Sequence, residues 1–169
     1  MPGGLQKTPV RILLTVMTAA MMVLIFCFSM ETAEKSDQTS GALTKTVINV
    51  AYPEYKQYTP IRQKSLYDQV QHIVRKSAHF TEYTLLGLLM RLCLESWFGR
   101  RKGLVPISWG SGTLYAVTDE IHQLLIDGRS GQWTDVLLDS SGVLTGVLIS
   151  TVVLWLLRRH RERRRIQAA

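Results

Sequence analysis

An all-α, polytopic membrane protein with four transmembrane helices and an extracytoplasmic loop after the first is the fold class this sequence predicts. Two observations carry that expectation. Of 169 residues 20% are charged, yet mean hydropathy is slightly positive, so apolar and charged residues must be segregated along the chain. Four segments then approach the roughly 20 mostly apolar residues that a spanning helix needs: 10–29, 78–98, 104–126 and 136–157.

The first segment exceeds the apolar core of a secretory signal and has no Ala-x-Ala exit, so it is expected to remain as an anchor. Cys27 ends this run but follows Phe26, where lipoprotein cleavage would need a small residue. Cys93, like Cys27, lies in an apolar stretch where a lone Cys serves as a small hydrophobe. The middle two segments carry ionisable residues, and a charge inside a span marks a site by default.

Basic residues set the orientation. Lys7 and Arg11, Arg100-Arg101-Lys102, and the arginines of 158–165 flank the spans on what must be one side, which the positive-inside rule makes the cytoplasm, with both termini there. The net charge of +7 therefore follows membrane topology and does not call for nucleic acid. Four parts result: a cytoplasmic tip with the first span (1–29), an extracytoplasmic loop with short helices at 40–50 and 62–75 (30–75), a three-helix core (76–157) and a basic tail (158–169). In the loop, Leu43, Val47 and Val50 recur at helical spacing and are expected to pack on the top of the bundle.

The ionisable residues of the core gather at one depth. Lys76, His79, Tyr83 and Gly87 share one stripe of the second span with Glu82 at its flank, and Asp119, His122 and Gln123 share a face of the third while Glu120 points about 100° away. The fourth span opens at Thr134, a candidate N-cap, and presents Asp135, Asp139, Gly142 and Gly146, whose glycines permit close helix approach. Asp127-Gly128-Arg129-Ser130-Gly131 forms the turn before it. Arg129 there suits an anion as well as it suits neutralising a neighbouring Asp. With the topology above, all three stripes reach the outer leaflet. His79, Glu82, Asp119, Glu120 and His122 are the candidates for acid–base chemistry. Lys76, Tyr83, Gln123, Arg129, Asp135 and Asp139 are the candidates for holding a ligand.

These residues also carry a resemblance. Arg75-Lys76-x-x-His79-x-x-Glu82-Tyr83-x-x-Leu86-Gly87, Asp119-Glu120-x-His122-Gln123, Gly128-Arg129-Ser130-Gly131, Asp135, Asp139, Gly142 and Gly146, with Phe28-Ser29, Glu34 and Ser36 upstream, are similar to the VanZ-like family. Glu31 stands where that family commonly has Gln, and Ser140 where it has Asn or Thr. The resemblance implies a multi-pass protein of the bacterial cytoplasmic membrane, in a family whose eponymous member is associated with resistance to the lipid-tailed glycopeptide teicoplanin.

The function expected is binding or processing of an anionic amphiphile at the outer leaflet, a lipid-linked wall precursor or a lipoglycopeptide, with membrane lipids as the constant partners. Binding without catalysis fits the same residues. Two other classes compete. A membrane scaffold would use the polar groups as a satisfied network, but contacts of about 0.6 to 2 kcal/mol each make eight or more ionisable groups a costly route to helix register. Ion or proton transport would need polar groups across the whole span, and the inner half offers Arg91 and Glu95 alone, an i, i+4 pair able to snorkel inward. His79 with Glu82 and Asp119 with His122 place an imidazole and a carboxylate at i, i+3, but no complete metal-ligand motif is present. Neither metal nor other cofactor is expected. The sequence is silent on oligomeric state.

Overall fold

The computed structural model describes residues 4–31, 33–126 and 132–167, the side chains of 4, 33, 34 and 165 excepted. Among them there are five α-helices and no strand: α1 (Thr8–Ser29), α2 (Ala33–Ala51), α3 (Pro60–Phe98), α4 (Leu104–Gln123) and α5 (Trp133–Gln167). Among the described residues two helices are long and apolar enough to cross a membrane, α1 and the Trp133–Arg164 part of α5. Helix α3 carries His79, Glu82, Arg91 and Glu95 along its apolar half, which lowers its hydropathy below theirs.

Pro9 near the start of α1 loses no helical hydrogen bond. Only Leu14, Thr18, Ile25 and Ser29 of this helix are buried, at heptad-like spacing, while Ile12, Leu13, Val16 and Val23 remain exposed. A narrow seam thus packs, chiefly on α3, and the rest of an apolar helix faces outward.

The separate helix expected at 62–75 and the second span are one continuous helix of 39 residues, about 58 Å long. The physical reason is local. From Ile61 to Leu86 there is neither Gly nor Pro, and a helix without a breaker continues through a change of surroundings. It ends at Gly99, whose φ of 67° is left-handed and whose N–H bonds the Glu95 carbonyl.

The first half of α3 and α2 form an antiparallel hairpin that projects from one end of the bundle. Arg75 pairs with Asp37 at 3.3 Å, the Gln71 amide donates to the Asp37 carbonyl at 3.2 Å, and Tyr67 crosses at Gly41. At its tip the Gln63 amide donates to the carbonyls of Tyr55 at 3.2 Å and Tyr58 at 3.1 Å. Thr44 and Ile48, not the expected stripe, form the buried face of α2. Leu43, Val47 and Val50 are exposed, because the small Gly41 and Thr44 let α3 approach on the other side.

Helices α3 and α5 run parallel and touch through backbone. A Cβ on Gly87 would meet the Val143 carbonyl, one on Gly146 the Thr84 carbonyl, and one on Gly142 the Phe80 carbonyl oxygen at 2.7 Å. Helix α4 returns antiparallel between them, with Gly112 against the Val143 side chain. Ile25, Tyr83, Leu86, Ala116, Val143 and Val147 fill the core where the four helices meet.

The parallel pair is also pinned at the end away from the hairpin. Arg91 Nη1 lies 2.7 Å from Glu95 Oε2, and Arg158 of α5 pairs with the other oxygen of Glu95. Arg91 and Glu95 do not snorkel as expected; both are about 95% buried, because Arg158 meets Glu95 between the helices. Thr134 also departs from expectation. It lies inside the first turn of α5, since the helix already starts at Trp133.

Candidate functional site

The predicted residues assemble at the hairpin end of the bundle, but in two compartments. Around α3, Tyr83 and Gly87 lie within about 20° of Lys76, whereas His79 and Glu82 turn away by about 60° and 120°. The first group faces α5 and the second faces α1 and α2.

On the α5 side, Lys76 Nζ is 2.9 Å from Asp135 Oδ1, a pair with each side chain about one-third exposed. Below it the polar groups are sealed: Tyr83 is fully buried, Asp139 is 2% exposed and Asp119 is 3% exposed. The Gln123 amide donates to Asp119 Oδ2 at 3.2 Å. The Tyr83 hydroxyl stands beside the Asp119 carboxylate and within electrostatic reach of Asp139, yet outside hydrogen-bonding geometry. Tyr83 Oη, Asp119 Oδ1 and Asp139 Oδ1 are buried with no hydrogen-bond partner among the described residues. Glu120, although it points away from Asp119, is also buried, because its Oε1 accepts from the Gln132 backbone N–H at the start of α5, at 2.5 Å. His122 packs against Phe26 of α1 with ring centroids 4.7 Å apart and the rings tilted by 33°.

On the other side lies a cleft of about 250 Å³ at the base of the hairpin. Arg75, Ala78, His79 and Glu82 of α3 form one wall, Thr39, Ser40 and Leu43 of α2 the second, and Phe28 with Glu31 the third. The Thr39 hydroxyl donates to Glu31 Oε2 at 3.2 Å, and Lys35 lies 3.7 Å from Glu31 Oε1. Glu82 connects the compartments: it lies at the cleft wall and within electrostatic reach of both Asp119 and Asp139.

Asp135, Asp139, Asp119, Glu120 and Glu82 thus share one electrostatic neighbourhood, and the ammonium of Lys76 is engaged by the first of them. Among the described residues no group of three or more His, Cys, Asp and Glu could hold a metal ion. Arg129, with its 127–131 turn, and the side chain of Glu34 lie outside the described residues.

Arg75, Thr39 and Leu43 were not foreseen as site residues. Arg75 precedes Lys76 in the motif and its position was the available signal. The α2 residues had none, because they reach the site only through the fold-back of the hairpin.

No curated protein and no solved structure matches this chain. The VanZ/LLP1 family model matches residues 14–156, from the first turns of α1 to the apolar end of α5 and so across both compartments, and the chain belongs to the VanZ/LLP1 family.

Proposed function

We propose that this protein is a four-span envelope protein that binds an amphiphile in the cleft at the base of the hairpin, and that in doing so it lowers sensitivity to teicoplanin-type lipoglycopeptides. The observation that carries this reading is the cleft itself. Phe28, Leu43 and Ala78 supply an apolar wall continuous with the exposed apolar surface of α1, and Arg75 and His79 supply polar contact at the same opening. An acyl chain can follow the first while an anionic headgroup takes the second. Partners of this chemistry are a lipid-linked wall precursor or a lipid-tailed drug.

The ion pairs support the membrane placement. Along α3, Lys76 and Glu95 are separated by about 28 Å, close to the roughly 30 Å hydrocarbon thickness. Each is paired with α5, at Asp135 and Arg158. Charges so placed sit at the two boundaries, with the hairpin outside and both termini in the cytoplasm, consistent with the basic 100–102 turn and the basic tail.

Teicoplanin and vancomycin susceptibility in a sensitive host, with membrane levels checked, tests the reading. Wild type is expected to protect against teicoplanin selectively, and well-expressed His79→Ala, Glu82→Gln and Arg75→Ala to lose that protection. Absence of protection by wild type removes the resistance role. Full protection by the variants removes the cleft from it.

A further inference from the structure

We propose that a second binding site lies at the tip of the hairpin, where Arg62, stacked on Tyr58, holds a small carboxylate ligand independently of the cleft.

The groove at the tip has a volume of about 170 Å³ and is lined by Tyr52, Tyr58, Arg62, Ser65, Leu66 and Gln69. From Leu66 to Glu82 is about 24 Å along α3 and about 160° around it, so this groove and the cleft open on different faces and fill separately.

Its shape is fixed by the 52–59 connection between α2 and α3. The Gln63 amide donates to the carbonyls of Tyr55, Lys56 and Tyr58, and the Tyr55 hydroxyl donates in return to the Gln63 carbonyl at 3.2 Å. Tips of connections commonly fray. This one presents Tyr58 in a set position, edge-on to Tyr55 with ring centroids 6.5 Å apart.

The guanidinium carbon of Arg62 stands 3.9 Å from the centre of the Tyr58 ring. Contact through the face orients the planar group and leaves its N–H edge available. Among the described residues no Asp or Glu is within ion-pairing distance of that edge, whereas Arg75, Lys76, Arg91 and Arg158 are each engaged by a carboxylate. A guanidinium held in one orientation recognises a carboxylate through two parallel N–H···O bonds, and its single charge balances that of a carboxylate, where a doubly charged phosphate would call for a second cation.

The remaining walls describe the body that bears the carboxylate. The exposed ring of Tyr52 and the side chain of Leu66 offer apolar contact. Gln69 donates to the Ser65 hydroxyl at 3.4 Å, which leaves the Ser65 O–H as a donor and the Gln69 carbonyl as an acceptor for the ligand. Since a cavity of about 150 Å³ takes one benzene ring, the groove has room for one amino-acid residue or one sugar ring. The ligand class is a carboxylate on a body of that size, the end of a peptide or a sugar acid.

The test is binding to the full-length protein in detergent, read by saturation-transfer NMR titration with two matched pairs: N-acetylalanylalanine and its C-terminal amide, and methyl glucuronide and methyl glucoside. An exposed ion pair of good geometry corresponds to about a fivefold preference, so an acid is expected to bind about fivefold tighter than its neutral partner in low salt and to lose that margin in high salt. A preference in the peptide pair alone identifies a peptide terminus, one in the sugar pair alone a sugar acid, and one in both a carboxylate of either source; each supports the site. Arg62→Gln is expected to erase the preference, and Arg62→Lys to lose most of it, because Lys keeps the charge without the planar fork. Arg62 is exposed, so both variants should keep the wild-type Tm; if either does not, the salt dependence of the wild-type pairs carries the test. Equal binding within both pairs, or binding of no probe, overturns the carboxylate site. A preference that persists in Arg62→Gln overturns its assignment to the hairpin tip.

Discussion

The carbonyl oxygen of Thr84 occupies the place where a side chain on Gly146 would begin. Helices α3 and α5 therefore meet backbone to backbone, and the two compartments of the site are held on either side of that contact. Gly146→Ala should force the helices apart, at a cost of about 1 to 3 kcal/mol, read as a lowered Tm in detergent. Gly110→Ala is the control, because a Cβ there meets nothing within 4 Å, and it should leave Tm unchanged or slightly raised.

At the far end, Glu95 answers two guanidinium groups. Glu95→Gln should be strongly destabilising, by about 3 to 5 kcal/mol, since it leaves Arg91 buried and uncompensated. Replacing Arg91, Glu95 and Arg158 together by Leu should recover much of the loss. Thermal unfolding of the single and triple variants decides this; a triple variant no better than the single would mean that the charges are needed for more than mutual compensation.

The Lys76–Asp135 pair is one-third exposed on both sides, so screening limits it. A double-mutant cycle with Lys76→Ala and Asp135→Ala should give a coupling of about 0.2 to 1 kcal/mol that shrinks in high salt. A salt-independent coupling of several kcal/mol would place the pair in a drier setting.

Filling the cleft should imitate occupancy. Ala78→Phe adds a ring to a wall residue that does not pack in the core. It is expected to abolish teicoplanin protection while leaving membrane level and Tm near wild type. Retained protection would move the binding surface elsewhere.

The hairpin makes a topological prediction. In a background with both cysteines replaced, Ser65→Cys, on an exposed position of the projecting part of α3, should react in intact cells with a membrane-impermeant maleimide. Arg101→Cys should react only after permeabilisation. The reverse pattern would invert the protein in the membrane.

Much of this was legible in the sequence because it is periodic or compositional. Apolar run length located α1 and α5, the 3.6-residue repeat put Lys76, Tyr83 and Gly87 on one line, and the spacing of Gly142 and Gly146 announced a close helix contact. Asp119, Gln123, Asp135 and Asp139 are recognisable by their polar character within apolar segments. The continuous α3 was missed because the change from polar to apolar composition near Arg75 resembles a domain boundary. Composition, however, reports the surroundings of a helix, and only a breaker ends one.

What the sequence by itself determined is therefore what local rules dictate: the helical class, the family, the polar stripes and the glycines between α3 and α5. Tertiary structure alone decided the fold-back of α2 onto α3, which brings Leu43 and Thr39 opposite His79, and the meeting of Arg158 with Glu95. It also decided the split of one stripe between a buried polar cluster and an open cleft. Those relations depend on which neighbour covers each side of a helix, and that is settled by packing between segments distant in the chain, through contacts such as Gly41 with Tyr67 and Gly146 with Thr84.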